Sequence, residues 1–242
     1  MDSYSDIFSR SQALIGPEGM ARLAQVRIIL FGVGGVGSWC AEALVRTGVL
    51  HLTLVDFDTV SPSNINRQLP ATTRTIGRSK VEVLRERLLE INPEAEIIAR
   101  HEAFHADNAG LFRLDTFDCV IDAIDSVPDK VALILAADEQ PAVTLLSSMG
   151  AARRLDPTRV RMAEFRKVTG CPLARALRQH FKRLGRFPER RFRCVFSDEP
   201  PVGDSQTKGS LMTVTAAFGL ALAASIIQAT ITNTINNGNT SN

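Results

Sequence analysis

The stretch IILFGVGGVGS, residues 28–38, decides the fold class. Val26 to Phe31, interrupted only by Arg27, is an aliphatic run of the kind that forms a strand buried on both faces. It ends on a glycine cluster in which Gly32, Gly34 and Gly37 keep the G-x-G-x-x-G spacing and Gly35 is an extra glycine. That pattern gives a tight turn, a backbone bare enough for a phosphate to approach, and a close helix–strand contact. The first N–H groups of the following helix then face the anion, with the helix dipole favouring negative charge. The stretch predicts a bound nucleotide; by itself it admits NAD, FAD or ATP.

Working outward, Ser38 to Thr47 reads as a helix, with Cys40, Ala43, Leu44 and Thr47 at helical spacing and Gly48 as its C-cap. A second strand, His51 to Val55, ends at Asp56, about twenty residues past the loop, where a ribose-binding acid belongs. Asp56 to Gln68, DFDTVSPSNINRQ, is a polar loop beyond a strand's carboxyl end, the edge at which such sheets bind ligands. Gly77 to Lys80 opens a helix that runs to Glu90 and stops at Asn92-Pro93. Lys80 stands in its first turn, where the helix dipole disfavours a cation by about 0.3–1 kcal/mol, so an anion nearby is expected. Strands at Ala95–Ala99, Phe117–Asp122 and Val143–Ser147, with a helix at Lys130–Asp138, continue the alternation; Asp122 and Asp125 bring carboxylates to the same edge.

The predicted fold is therefore α/β, a Rossmann-like, mostly parallel sheet. Two additions follow it: an antiparallel C-terminal extension, beginning with a hairpin over Arg153–Val160 turned at Asp156-Pro157, and a C-terminal apolar helix over Leu211–Ile231. Ahead of Gln25 lies an N-terminal arm with a helix, capped at Ser9 or Ser11 and interrupted at Gly16-Pro17. The apolar helix is long enough to span a membrane, but its Ala, Thr, Ser and Gly content and missing C-terminal anchors favour a core or dimer interface.

The net charge of +2 hides an asymmetry. Between Arg153 and Arg193 stand fourteen Lys or Arg against three acids, leaving the rest of the chain acidic on balance. A solvated face usually mixes signs, whereas one-signed, Arg-dominated segments meet phosphates. A nucleic acid partner is expected here, with Arg175, Arg178, Lys182 and Arg183 as its contacts, on and just beyond a helix over Pro172–Lys182. The four cysteines, Cys40, Cys119, Cys171 and Cys194, form no C-x-x-C pair, which argues against an all-cysteine zinc site. The polar N-terminus lacks a signal-peptide core, so a cytoplasmic location is expected.

The polar residues at the sheet edge separate the nucleotides. A dehydrogenase needs the glycines and the ribose acid; it has no use for two extra cations and a second carboxylate. An ATP-consuming site uses all of them: Asp56 for the ribose, Arg67 and Lys80 for triphosphate charge developing on pyrophosphate, Asp125 for Mg²⁺. These residues also carry a resemblance. GVGGVGS at 32–38, LVDFDTVSPSNINRQ at 54–68, GRSK at 77–80 and DAIDS at 122–126 resemble the ubiquitin-activating-type adenylyltransferase superfamily, which includes activators of sulfur-carrier proteins. The resemblance implies ribose binding by Asp56, ATP contacts from Asp58, Asn64, Arg67 and Lys80, and a Mg²⁺ ligand in Asp125. It further implies a homodimer in which Arg10 of the N-terminal arm reaches an ATP.

Three later stretches are similar to one branch, the tRNA threonylcarbamoyladenosine dehydratases: SSMGAARRLDPTRVRMAEF at 147–165, CPLARALRQHFKRLG at 171–185 and CVFSDE at 194–199. That branch implies a tRNA substrate whose threonyl carboxylate is adenylated by ATP and then closes into a cyclic hydantoin. Some relatives carry a cysteine that works with a sulfur-relay partner; no Cys occurs here between Phe196 and Ile231. The competing readings are a sulfur-carrier or ubiquitin-like protein adenylyltransferase, and an NAD-binding oxidoreductase. The organisation expected is an ATP-binding adenylation core with its arm (1–150), a basic RNA segment (151–209), the core or dimer-interface helix (210–231) and a disordered tail (232–242).

Overall fold

The computed structural model describes residues 7–203 and 209–232. Seven strands form one sheet: β1 (Arg27–Phe31), β2 (His51–Val55), β3 (Glu96–Arg100), β4 (Cys119–Asp122), β5 (Thr144–Ser148), β6 (Val160–Glu164) and β7 (Arg193–Ser197). Their order is β3-β2-β1-β4-β5-β7-β6, with every pair parallel except β6 and β7. The order reverses direction between β1 and β4, and that switch point opens a crevice at the carboxyl ends of the strands.

Among the described residues, six α-helices cover the sheet: α1 (Ser9–Gln25), α2 (Gly37–Thr47), α3 (Lys80–Ile91), α4 (Val127–Asp138), α5 (Pro172–Leu184) and α6 (Met212–Ile231). β1 shows why its sequence is apolar throughout. Ile28 and Leu30 face one core layer with α2, α3 and α6; Ile29 and Phe31 face the other with α4 and α5. Cys40 and Cys119 are packing residues in the first layer, and all four cysteines are free and buried.

α6 is long and apolar enough to cross a membrane, and more than half of it is buried inside the fold. Val214, Phe218, Leu222 and Ile226 join the core layer beside α2, and a Cβ on Gly219 would lie 2.4 Å from the Val36 carbonyl oxygen. The core role expected for this helix is observed, while Leu220 on it stays exposed.

Two expectations need correction. Asp156-Pro157 does turn the chain, with Asp156 accepting from the Thr158 N–H, but no local hairpin forms. β6 pairs instead with β7, Val160 opposite Ser197, because the N–H groups of Leu155 and Asp156 are already bound by the Glu199 carboxylate. The arm helix is kinked at Gly16 (φ 74°), as the Gly-Pro pair predicts, but its N-cap is Phe8 and not Ser9 or Ser11. The tail expected at 232–242 lies outside the described residues apart from Thr232.

Candidate active site

A cavity of about 720 Å³ occupies the crevice, walled by the segments that follow β1, β2, β4 and β5. Its floor is the glycine loop. A Cβ on Gly37 would sit 1.9 Å from the Gly32 carbonyl oxygen, so α2 can start against the strand only with glycine there. Ser38 Oγ donates to the Gly34 carbonyl at 2.6 Å and tightens the turn.

Asp56 closes one side. Its Oδ2 accepts from the Val33 N–H at 2.8 Å and its Oδ1 from the Asp58 N–H at 2.9 Å, tying the loop after β2 to the glycine loop. Burial pushes its carboxyl above the ordinary range, against the pull of those N–H groups and the Lys80 charge. A carboxylate has about four lone-pair directions, so acceptor capacity remains for ribose hydroxyls.

Lys80 begins α3, and its ammonium lies 2.6 Å from Asp58 Oδ2 with only 5% of the side chain exposed. The anion expected near this cation is thus Asp58. Arg67 drapes its stem over the glycine loop: a Cβ on Gly35 would touch Arg67 Cγ at 3.2 Å. Its Nη1 donates to the Ser63 carbonyl and Asn66 Oδ1. Across the crevice, Asp125 lines the cavity and is exposed, with no hydrogen bond or ion pair among the described residues. An ion held by one carboxylate plus substrate phosphates fits such a ligand.

Two expected residues stand elsewhere. Asn64 is buried outside the cavity wall; its Oδ1 accepts from the Ser61 N–H and shapes the loop that carries Arg67. Arg10 is exposed in the first turn of α1 and does not line the cavity of its own chain.

The structure adds residues that local pattern did not single out, and it buries Asp122, which was expected at the edge. Gln68 is buried at the cavity wall with its Oε1 unpaired among the described residues; its position next to Arg67 in the polar loop was the available signal. Lys130 and Asp122 form a fully buried ion pair of 2.8 Å. Asp122 also accepts from Ser147 Oγ and the Ile124 N–H, while Lys130 donates to the Ile124 carbonyl, so the segment bearing Asp125 is held from below. Asp129 accepts from Ser126 Oγ and pairs with His105 Nδ1 at 2.7 Å.

The basic segment divides. Ala174, Leu177 and Phe181 bury one face of α5, leaving Arg175, Lys182 and Arg183 exposed on the other. Arg178 turns inward: its Nη2 donates to the carbonyls of Phe165 and Val168, and its guanidinium lies over the Phe165 ring. Arg159 and Arg161 are bound to Asp198, Arg186 to Glu139, and Arg190 to carbonyls of the segment after α4. The free basic surface is therefore smaller than the count of fourteen suggests.

With this fold and site, the chain belongs to the ThiF family, whose model matches residues 8–242. Its relatives are more specific. It is 37% identical over 237 residues to the tRNA threonylcarbamoyladenosine dehydratase of Haemophilus influenzae, covering 95% of this chain and 90% of that one. The enzyme of the same name from Bacillus subtilis is 39% identical over 195 residues, covering 81% and 76% of the two chains. The crystal structure of the Escherichia coli tRNA N6-threonylcarbamoyladenosine dehydratase in complex with AMP superposes with a TM-score of 0.89 at 33% identity, over 96% of this chain and 97% of that one.

Proposed function

We propose that this chain catalyses the ATP-dependent dehydration of N6-threonylcarbamoyladenosine in tRNA to its cyclic hydantoin form. One observation carries the reading: a single cavity joins a nucleotide cradle (glycine loop, Asp56, Lys80, Arg67) to a facing carboxylate, Asp125, in a chain similar end to end to dehydratases.

A carboxylate is a poor electrophile. In the proposed reaction a threonyl carboxylate oxygen attacks the α-phosphorus of ATP, and pyrophosphate leaves. Lys80 and Arg67 balance the charge that develops on it. The tethered urea nitrogen then attacks the acyl carbon, its proton passes to solvent, and AMP departs. The nitrogen is already held beside the carbon, so effective molarity supplies much of this step and no enzyme nucleophile is needed. Asp125 would hold Mg²⁺, which supplies further charge neutralisation on the phosphates.

A homodimer is part of the reading, with Arg10 serving the partner's ATP; its exposure outside its own cavity supports that assignment. Arg175, Lys182 and Arg183 are the proposed tRNA contacts, and a cytoplasmic location follows from such a substrate. No sulfur-relay step is assigned: the four thiols are buried, and burial pushes those of Cys40, Cys119 and Cys194 well up. Incubation with ATP, Mg²⁺ and modified tRNA, followed by mass spectrometry of the nucleoside, is the test. Loss of one water is expected; an unchanged nucleoside mass overturns the proposal.

A further inference from the structure

Arg154 lines the cavity and yet is only 2% exposed. Among the described residues, its Nε and Nη1 have no hydrogen-bond partner. A guanidinium cannot shed its charge by losing a proton, so a buried one is costly unless an anion or several acceptors meet it. Glu199 is the carboxylate whose charge reaches it, but both Glu199 oxygens accept from the N–H groups of Leu155 and Asp156. Arg153 and Arg159 add further positive charge.

The backbone is built to keep Arg154 there. Arg153 adopts a left-handed conformation (φ 62°), which an L side chain rarely takes without enforcement. It is enforced on both sides: the Arg153 N–H donates to the Gly209 carbonyl at 2.8 Å, and its carbonyl accepts from the Val202 N–H at 2.9 Å. Arg153's own side chain donates to the carbonyls of Val202 and Gly203. Its neighbour is thereby turned inward, away from the exposed surface that Arg175 and Lys182 occupy.

Position decides which anion. Asp56, Lys80 and Arg67 serve the β2 and β1 side of the crevice, whereas Arg154 follows β5. The ends of β2 and β5 stand three strand spacings apart, about 14 Å, although the loop bearing Arg67 reaches back across: Asn66 Nδ2 donates to the Ser210 carbonyl and the Arg153 N–H to the adjacent Gly209 carbonyl. Lys80 is already paired with Asp58 on the β2 side; Arg154, on the segment after β5, keeps unpaired donors for the adenylyl-accepting carboxylate.

We propose that Arg154 forms a carboxylate subsite that receives the threonyl carboxylate of the modified nucleoside and aims it at the α-phosphate. This rests on the dehydratase reading. Arginine suits the task because its charge is permanent and its donors lie in one rigid plane.

The test compares ATP, unmodified tRNA and threonylcarbamoylated tRNA as ligands of wild type, Arg154→Gln and Arg154→Lys. Wild type is expected to prefer the modified tRNA. Arg154→Gln should erase that preference, about tenfold or more, with affinity for ATP and for unmodified tRNA unchanged; Arg154→Lys should restore part of it. A preference that survives Arg154→Gln overturns the subsite. So does equal weakening of both tRNAs, which marks an RNA phosphate contact, or weakened ATP binding, which marks a triphosphate contact. Should Arg154→Gln fail to fold, wild type carries the test alone: N-carbamoylthreonine should compete with modified tRNA and its carboxamide should not, and equal competition overturns the subsite. Conversion of modified tRNA by wild type, measured alongside, separates the two proposals: product with an unchanged preference sinks the subsite alone, and absence of product sinks both.

Discussion

Lys80 Nζ lies 2.6 Å from Asp58 Oδ2, and the two residues come from different elements, the first turn of α3 and the loop after β2. The pair fixes a cation at the nucleotide cradle before any phosphate arrives. Asp58 is half exposed and Lys80 is not, so the carboxylate is free to yield its place while the ammonium stays. Lys80→Ala is expected to lower kcat by about 10²–10³-fold with the fold intact, as loss of one preorganised charge does. Asp58→Asn should cost about 1–3 kcal/mol of stability and leave Lys80 available. Single-turnover AMP release and urea unfolding measure the two effects.

The Lys130–Asp122 pair is fully buried beneath the segment that bears Asp125. Removing one partner strands a charge in the core, so Lys130→Met alone should cost about 3–5 kcal/mol. Lys130→Met combined with Asp122→Leu should cost less than Lys130→Met alone. Chemical denaturation of the three proteins gives the comparison, and equal losses in the single and double variants would refute it.

Arg175 and Lys182 point to solvent while Arg178 is spent on two backbone carbonyls. Arg175→Glu and Lys182→Glu should weaken tRNA binding and reduce the salt slope by about 1 each. Arg178→Ala should instead lower the melting temperature and leave the salt slope unchanged. Filter binding across a salt series, with thermal unfolding in parallel, separates the two behaviours.

Asp129 beside His105 raises the pKa of the imidazole above its ordinary value. The charged form is favoured in the folded protein, so this contribution is complete below the unfolded pKa, about 6.5, and fades as pH rises through the higher folded one. His105→Gln should flatten the melting temperature in that window. A wild-type profile that rises there with pH, unaltered by His105→Gln, would contradict the assignment.

Arg10 lies outside its own cavity. Arg10→Ala and Lys80→Ala proteins, each inactive alone, should regain about a quarter of wild-type activity when their subunits are exchanged, because statistical mixing creates one intact site in half of the dimers. Light scattering should report a dimer at micromolar concentration; a monomer there would exclude the arrangement.

Much of this architecture is written in local pattern. The apolar run to Phe31, the glycine spacing and the acid at Asp56 are constraints between neighbours or across a single βαβ unit, and the structure assembles them as that spacing requires. Where the partner lies far along the chain, local pattern misleads. Asp156-Pro157 has the chemistry of a hairpin turn, but β6 pairs with residues 29 to 37 positions later because Glu199 has taken the N–H groups of Leu155 and Asp156. Arg178 and Arg175 look alike in sequence; they differ because residue 178 rotates onto the carbonyls of the turn before α5, whereas 175 rotates away.

The amino-acid sequence alone determined a nucleotide-binding α/β sheet and the set of cations and carboxylates at its edge, because strand burial, glycine backbone freedom and helix periodicity are short-range properties. Tertiary structure decided which charges are already spent. Asp58 holds Lys80, Lys130 holds Asp122, and Arg178 holds its turn, while Asp125 and Arg154 remain facing the cavity. Charge type is a property of a residue; whether that charge is available to a substrate depends on what the folded chain has placed beside it.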